Sequence, residues 1–309
     1  MWECAYCGCQ HAERPGRSCK KCGLIQAGKW TTQKYQILRE YCYPLSLIMR
    51  NQGFEHCFLD VCAGSGVVQA QDSNKLIDGS PLIMAKTREV VENKIRDKSK
   101  EPSVKCVFIE QDAKIFQILD ESTKSYQDFV TCINDDCNVA LPRVLDEISE
   151  AFGFAYIDPF GVGEPVIRHE TVKQVLERDF TELFIHFSWE GVSRMAGELK
   201  NIDHPDPMIR KAARSNVASL DLYLTDGWQE VEKRNLQPYY RKKEYLGLYE
   251  AVLKKHYPNI EYIEIPIGSK NPIYYLFFST RNPTGHKIMK SILDKMRRRG
   301  SRSLEEFMR

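Results

Sequence analysis

The chain has 309 residues, 42% of them apolar and 28% charged, which suits a globular protein with a sizeable core. Lys and Arg number 44 against 42 Asp and Glu, so the net charge of +2 does not by itself mark a nucleic-acid binder. No segment reaches the ~18 to 20 consecutive apolar residues a membrane span needs. The opening MWECAYCGCQ lacks the apolar stretch of an export signal. With 11 cysteines and no such signal, metal ligands and buried thiols are expected rather than disulfides, and the cytoplasm is the expected location.

Residues 1–30 have their own composition. Cys4-x-x-Cys7-Gly8 and Cys19-x-x-Cys22-Gly23 are two matched knuckles. Four thiolates at this spacing predict a closed, structural Zn2+ site, which would supply the folding energy that so short a segment cannot draw from a core. Cys9 is spare, and it or His11 could replace a ligand. Arg14, Arg17, Lys20, Lys21 and Lys29 outnumber Glu3 and Glu13, and Trp2, Tyr6 and Trp30 lie nearby. This zinc ribbon suits a nucleic-acid grip or a protein-docking module.

From residue 31 onward the chain reads as one α/β domain. Residues 34–50 have helical apolar spacing, with Pro44 as an expected kink or break. Strands are expected at 56–61, 104–110, 128–134, 154–158 and 181–188. Helices are expected at 81–98, 113–123, 140–152 and 169–178, the first with Ser80 as N-cap and Pro81 at the first helical position. Residues 67–79 read as a loop, and about 189–245 as a helical insertion. Strands at 260–268 and 272–280, parted by Ser-Lys-Asn, predict an antiparallel hairpin, followed by a basic helix over 286–299. Alternating strands and helices closed by a hairpin predict a Rossmann-like sheet of the methyltransferase type.

The strongest motif in this domain is FLDVCAGSG, a strand running into Asp60-Val61-Cys62-Ala63-Gly64-Ser65-Gly66. Small residues let the backbone approach a ligand closely. The pattern is D-x-G-x-G-x-G with Cys62 at the first glycine; G-x-G-x-x-G and G-K-[ST] are both absent, which disfavours NAD and excludes a P-loop. Glu110, ending the second strand, is placed to accept ribose hydroxyls, or else is a solvated strand end. Asn134, Asp135 and Asp136 at the third strand's mouth could meet an adenine amino group or simply make a turn. Together these positions predict S-adenosylmethionine, held by Asp60, Ala63, Gly64, Ser65, Gly66, Glu110 and Asp135.

The fourth strand ends in Asp158-Pro159-Phe160-Gly161. A carboxylate there can orient an amine, Pro159 can stiffen the turn and present its carbonyl, and Phe160 can stack on a base. The alternative reading of Asp158 is a structural strand-end carboxylate. No Pro-Cys dipeptide is present, which disfavours cytosine-C5 chemistry. His186, Cys42, Cys57, Cys106, Cys132 and the row Tyr274, Tyr275, Phe277 and Phe278 read as packing, whereas Trp189 and Arg194 follow the fifth strand where they could border a substrate.

FLDVCAGSG, GSPL, FIEQD, YIDPFG and PIYYLFFSTRNPTGHKIMKSIL together resemble the three-Cys-motif partner protein family over about residues 32–298. They are more distantly similar to adenine-N6 amino-methyltransferases that carry D-P-P-Y. The resemblance implies a class I methyltransferase fold, S-adenosylmethionine binding and association with a radical-S-adenosylmethionine-like protein that carries the three-cysteine motif. Here one proline is followed by Phe160 and Gly161, so the aromatic ring comes one position early. Two functions follow as expectations: methyl transfer to an amino group, most plausibly of a nucleic-acid base, or a non-catalytic cofactor-binding subunit that docks its partner through the ribbon.

Overall fold

The computed structural model describes the chain except residues 1, 13–15, 17, 72, 95–103, 149–150, 160, 163–166, 180, 270 and 308–309, and except the side chains of 29 and 299–307. In chain order the strands are β1 (Trp2–Glu3), β2 (Gln10–His11), β3 (Ile25–Ala27), β4 (His56–Asp60), β5 (Val67–Ala70), β6 (Leu76–Asp78), β7 (Val104–Ile109), β8 (Val130–Ile133), β9 (Phe152–Ile157), β10 (Thr181–Phe187), β11 (Asn259–Ile265) and β12 (Tyr274–Thr280). The α-helices are α1 (Lys29–Gln52), α2 (Ser80–Lys94), α3 (Ala113–Thr123), α4 (Cys137–Glu147), α5 (His169–Glu177), α6 (Trp189–Ala196), α7 (Pro207–Tyr223), α8 (Trp228–Lys233), α9 (Pro238–Lys254) and α10 (Pro283–Phe307).

Seven strands follow the order β11-β12-β10-β9-β4-β7-β8. β4 pairs in parallel with both β7 and β9, and β7 with β8, whereas β12 is antiparallel to both β10 and β11. This is the Rossmann-like methyltransferase sheet that the strand–helix alternation predicts. Its cause is visible in β4, where all five residues His-Cys-Phe-Leu-Asp are buried, as a central parallel strand covered on both faces requires. The chain divides into two compact units, Met1–Asp158 with Ser291–Leu293, and Pro159–Lys290 with Asp294–Arg309.

In the first unit α1 is a single helix of 24 residues that runs through Pro44, correcting the expected break. Pro44 removes one backbone donor, but Tyr41, Cys42, Leu45 and Met49 are all buried, and that packing outweighs the lost bond. Gly53, in the left-handed region, ends the helix by donating its N–H to the last-turn carbonyls. The expected loop at 67–79 is instead the hairpin β5–β6, antiparallel and joined by Asn74 at positive φ. β3 adds to it in parallel, making a three-stranded sheet. Ser80 is the first residue of α2 rather than its cap, and the end of the helix expected at 95–98 lies outside the described residues. Asp112 and Asp136 cap α3 and α4 by accepting backbone N–H groups.

Gly79 joins the hairpin to α2, and its N–H donates to the Gly66 carbonyl at 2.7 Å. A Cβ on Gly79 would lie 2.7 Å from that same oxygen, which is backbone and has little room to retreat. Gly79→Ala is therefore expected to destabilise the fold by about 1–3 kcal/mol, the usual cost of overpacking, read as a lower thermal midpoint.

In the second unit β10 and β12 bury Phe184, Phe187, Phe277 and Phe278. Thr280 donates its hydroxyl to the buried Glu182 carboxylate at 2.7 Å, which satisfies an otherwise costly group. Tyr274 and Tyr275 are buried as well, and β11 and β12 are joined by a connection longer than the three residues expected. Helices α6 to α9 fill the polar stretch read as an insertion. No helix among the described residues is long and apolar enough to cross a membrane.

Candidate cofactor and metal sites

Parallel α/β sheets bind ligands beyond the carboxyl ends of their strands, where the strand order reverses. Here that point is the end of β4, flanked by β7 and β9. Asp60 closes β4 and is completely buried. Its Oδ1 accepts the Cys62 N–H at 3.3 Å, and the Ser80 hydroxyl lies near enough to favour the ionised form. Oδ2 has no hydrogen-bond partner among the described residues. Burial, with the Asp158 charge adding to it, pushes the Asp60 carboxyl up to about 7. A buried carboxylate oxygen without a hydrogen-bond partner among the described residues has capacity to accept from a cationic group.

The turn after Asp60 is shaped by its glycines. Gly64 and Gly66 have φ of +67° and +70°, where a side chain would be strained. Ala63 donates its N–H to the Ile109 carbonyl, and Gly64 donates to Glu110 Oε2 at 2.9 Å. Glu110 also accepts the Asp112 N–H on Oε1 at 2.8 Å, and burial raises its carboxyl above the usual range. The Gln111 N–H also favours the ionised form, so of about four acceptor sites at least one remains for a ligand. Ser65 turns away: its buried hydroxyl donates to the Val67 carbonyl and accepts the Ile25 N–H. It fastens the turn to β3. Asn134 braces the same corner by donating to the Glu110 and Gln111 carbonyls. Asp135 pairs with Arg143 at 2.7 Å and accepts the Asp136 N–H, the contacts of a turn residue.

Asp158, one residue beyond β9, carries a partner that the sequence did not suggest. Lys34 of α1 donates to its Oδ2, and the Tyr156 hydroxyl donates to the same oxygen at 3.2 Å. Both charged side chains are largely enclosed, at 12% and 14% exposure. The charges of Asp158 and Lys34 are both felt at Asp60, so two carboxylates and one ammonium share this corner. Nothing short-range marks Lys34, which lies 124 residues from Asp158 in sequence.

The Pro159 carbonyl, expected to face an amine, lies 3.3 Å from His186 Nδ1. Phe160 falls outside the described residues. Trp189 packs on Tyr245 and faces the Arg241 guanidinium, a packing role rather than a visible substrate contact.

In the ribbon, the sulfurs of Cys4, Cys7, Cys19 and Cys22 lie within 4.8 Å of one another. Cys4 and Cys22 are 3.7 Å apart and Cys7 and Cys19 are 3.9 Å apart. A tetrahedral zinc with Zn–S bonds of about 2.3 Å places its sulfurs about 3.8 Å apart, so the donor set fits. The knuckles are near-copies. Cys4 Sγ accepts N–H bonds from Tyr6 and Cys7, and Cys19 Sγ from Lys21 and Cys22. Cys7 and Cys22 accept from Cys9 and Leu24. Gly8 and Gly23, both at positive φ, close the turns onto the Cys4 and Cys19 carbonyls.

The ribbon is also tied to the glycine turn. Trp2, Cys4, Cys19, Leu24 and Ile118 of α3 form one buried cluster, with Val67 against it. Gln69 of β5 is fully buried; it accepts the Ala5 N–H and donates to the Glu3 carbonyl. Together with the Ser65–Ile25 bond, these contacts place the cysteine module directly behind the glycine turn.

No family model and no curated protein matches the chain. Solved structures give loose likenesses. A protein from Legionella pneumophila strain Philadelphia 1 is 9% identical, covering 85% of this chain and 91% of its own, with a TM-score of 0.44. The METTL16 MTase domain is 12% identical over 82% of this chain and 68% of its own, with a TM-score of 0.39. The O-methyltransferase TomG from Streptomyces achromogenes, solved in complex with SAM, is 13% identical over 82% and 90%, with a TM-score of 0.37. At such scores and identities no activity is carried over from them.

Proposed function

We propose that this chain is an S-adenosylmethionine-dependent methyltransferase acting on an amino group, most plausibly of a nucleic-acid base, with a structural zinc ribbon behind its cofactor turn. The observation that carries this reading is Asp60, a completely buried carboxylate with an unpartnered oxygen beside a glycine turn. S-adenosylmethionine bears an ammonium and a sulfonium, and either suits that oxygen. Glu110 would take the ribose hydroxyls, and the backbone of Ala63, Gly64 and Gly66 would line the approach. When bound, the cofactor supplies an electrophilic methyl group.

The rest falls to side chains of the chain itself. Asp158 accepts an N–H of the incoming amine, turning its lone pair toward the methyl, and takes that proton as the N–C bond forms. Lys34 and Tyr156 hold Asp158 from one oxygen and fix its direction. Zn2+ closes Cys4, Cys7, Cys19 and Cys22.

The pH dependence follows from Asp60. Between an unfolded value of 3.8 and a folded value of about 7, the folded chain keeps a proton that the unfolded chain releases. Stability therefore falls as pH rises through that window. A bound cation favours the ionised carboxylate, so cofactor affinity rises with pH up to about 7 and levels off above it.

The test is transfer of labelled methyl from S-adenosylmethionine to ribosomal RNA, tRNA and DNA. Label in one of these pools, recovered as an amino-methylated base, is expected. Label in none, with folded and zinc-loaded protein, would overturn the enzymatic reading and favour the cofactor-binding partner subunit.

A further inference from the structure

The four-sulfur site leaves two soft donors unexplained. Cys9 and His11 do not belong to either knuckle, yet both converge on the same place. Cys9 Sγ lies 3.1 Å from His11 Nε2 and 3.3 Å from Cys19 Sγ. His11 Nε2 lies 3.5 Å from Cys19 Sγ. Cys9 also approaches Cys7 Sγ at 3.2 Å. All three donors of the Cys9, His11 and Cys19 set fall within 4.8 Å of one another, and Cys19 belongs to both sets.

From these distances we infer that the ribbon holds a second zinc ion, bound by Cys9, His11 and Cys19, with the Cys19 thiolate bridging the two metals. This rests on the reading of the knuckles as a zinc site.

Three arguments support it. Ligands of one tetrahedral zinc, with bonds of about 2.3 Å to sulfur and 2.0–2.1 Å to nitrogen, lie about 3.8 Å apart for two sulfurs and about 3.5 Å for sulfur and nitrogen. The His11–Cys19 separation meets this value, and Cys9 needs to move outward by only about half an ångström. Next, His11 is aimed by the fold rather than by chance. β1 and β2 pair Trp2 opposite His11, and the two rings pack at 5.4 Å with a 45° tilt, which fixes the imidazole toward the sulfurs.

Charge completes the case. One zinc with four thiolates carries a net charge of −2, and a second zinc with the Cys9 thiolate and a neutral imidazole brings it to −1. Cys9 and His11 are both half-buried, so an ion can enter from solvent, and three protein donors leave its fourth position to water. Cys19 is almost wholly buried, as a shared bridge should be.

The experiment measures zinc per chain by elemental mass spectrometry after equilibration of the full chain with zinc chloride and removal of unbound metal. Two ions per chain are expected for the unaltered protein, and one for Cys9→Ser, His11→Ala and the double variant. These changes spare both knuckles, so the ribbon keeps its first ion and its fold. X-ray absorption of the two-ion form should show an imidazole nitrogen and a zinc–zinc vector, both lost in the double variant. A single ion in the unaltered chain, or an equal count in the double variant, overturns the second site and leaves the first intact. No zinc at all would overturn both.

Discussion

Removing zinc is expected to unfold the ribbon and weaken S-adenosylmethionine binding about tenfold or more. Apart from its cysteines, the ribbon contributes little to its buried cluster besides Trp2 and Leu24, with Ile118 supplied by α3. So small a core cannot offset the ordering of some 25 residues at about 1–2 kcal/mol each. Structural zinc supplies about 10–16 kcal/mol in comparable small modules, and its loss leaves nothing in its place.

The consequence spreads through β3. With the ribbon unfolded, Ser65 loses the Ile25 N–H, Gln69 loses the Ala5 and Glu3 backbone groups, and Val67 loses its cover. These residues lie within five positions of Gly64, so the glycine turn loses its brace. Chelation, or Cys4→Ser with Cys19→Ser, should expose the segment 2–27 to protease, raise hydrogen exchange at 64–70, and reduce affinity measured by calorimetry. A ribbon that stays protease-resistant after verified removal of zinc would refute the structural role of the metal.

Substitutions at the Lys34–Asp158 pair should show a second large effect, divided differently between stability and activity. Lys34→Met takes a cationic partner from a corner that also contains the buried Asp60. Removing one member of an enclosed ion pair costs about 3–5 kcal/mol, and slight exposure places this pair toward the lower end. Asp158→Asn keeps the shape but loses the charge, and methyl transfer should fall roughly a hundredfold, the scale of a lost acid–base group.

Cofactor affinity in Asp158→Asn should stay within a factor of about three, because Asp60 and Glu110 are untouched and removing a neighbouring negative charge eases ionisation of Asp60. The double variant should be more stable than Lys34→Met alone, since the uncompensated charge is gone. Denaturant melts and initial rates on the same preparations check all of these. Undiminished transfer in Asp158→Asn would return Asp158 to its structural reading.

How far the sequence could carry the argument depended on the range of each interaction. The strand–helix alternation is local, so the parallel core and the reversed β12 were legible from apolar runs and from the closing hairpin pattern. The knuckles were legible because ligand spacing is written in adjacent residues. The β5–β6 hairpin was not. Its strands are three and four residues long, its turn depends on Asn74 rather than glycine, and β3 stabilises it from 40 residues away.

Lys34 was missed for the same reason. Its partner is fixed by tertiary packing of α1, and no pattern near Lys34 records it. The motif at 60–66 predicted a ligand turn, but the difference between Ser65, which fastens the backbone, and Asp60, which keeps an open oxygen, appears only in three dimensions. Asp135 shows the converse: a polar residue at a strand mouth satisfies turn geometry as readily as ligand chemistry, and here Arg143 and the Asp136 N–H occupy it.

The central claim is that Asp60 is the cation socket of a cofactor site. Calorimetric titration of zinc-loaded protein with S-adenosylmethionine at pH 8 and at pH 6, beside Asp60→Asn, tests it most directly. The account predicts saturable binding of one cofactor per chain at pH 8. Lowering the pH to 6 should weaken it by up to about tenfold with proton release on binding, and Asp60→Asn should largely abolish it. No binding by the unaltered protein, or binding by Asp60→Asn with equal affinity at both pH values, would contradict it.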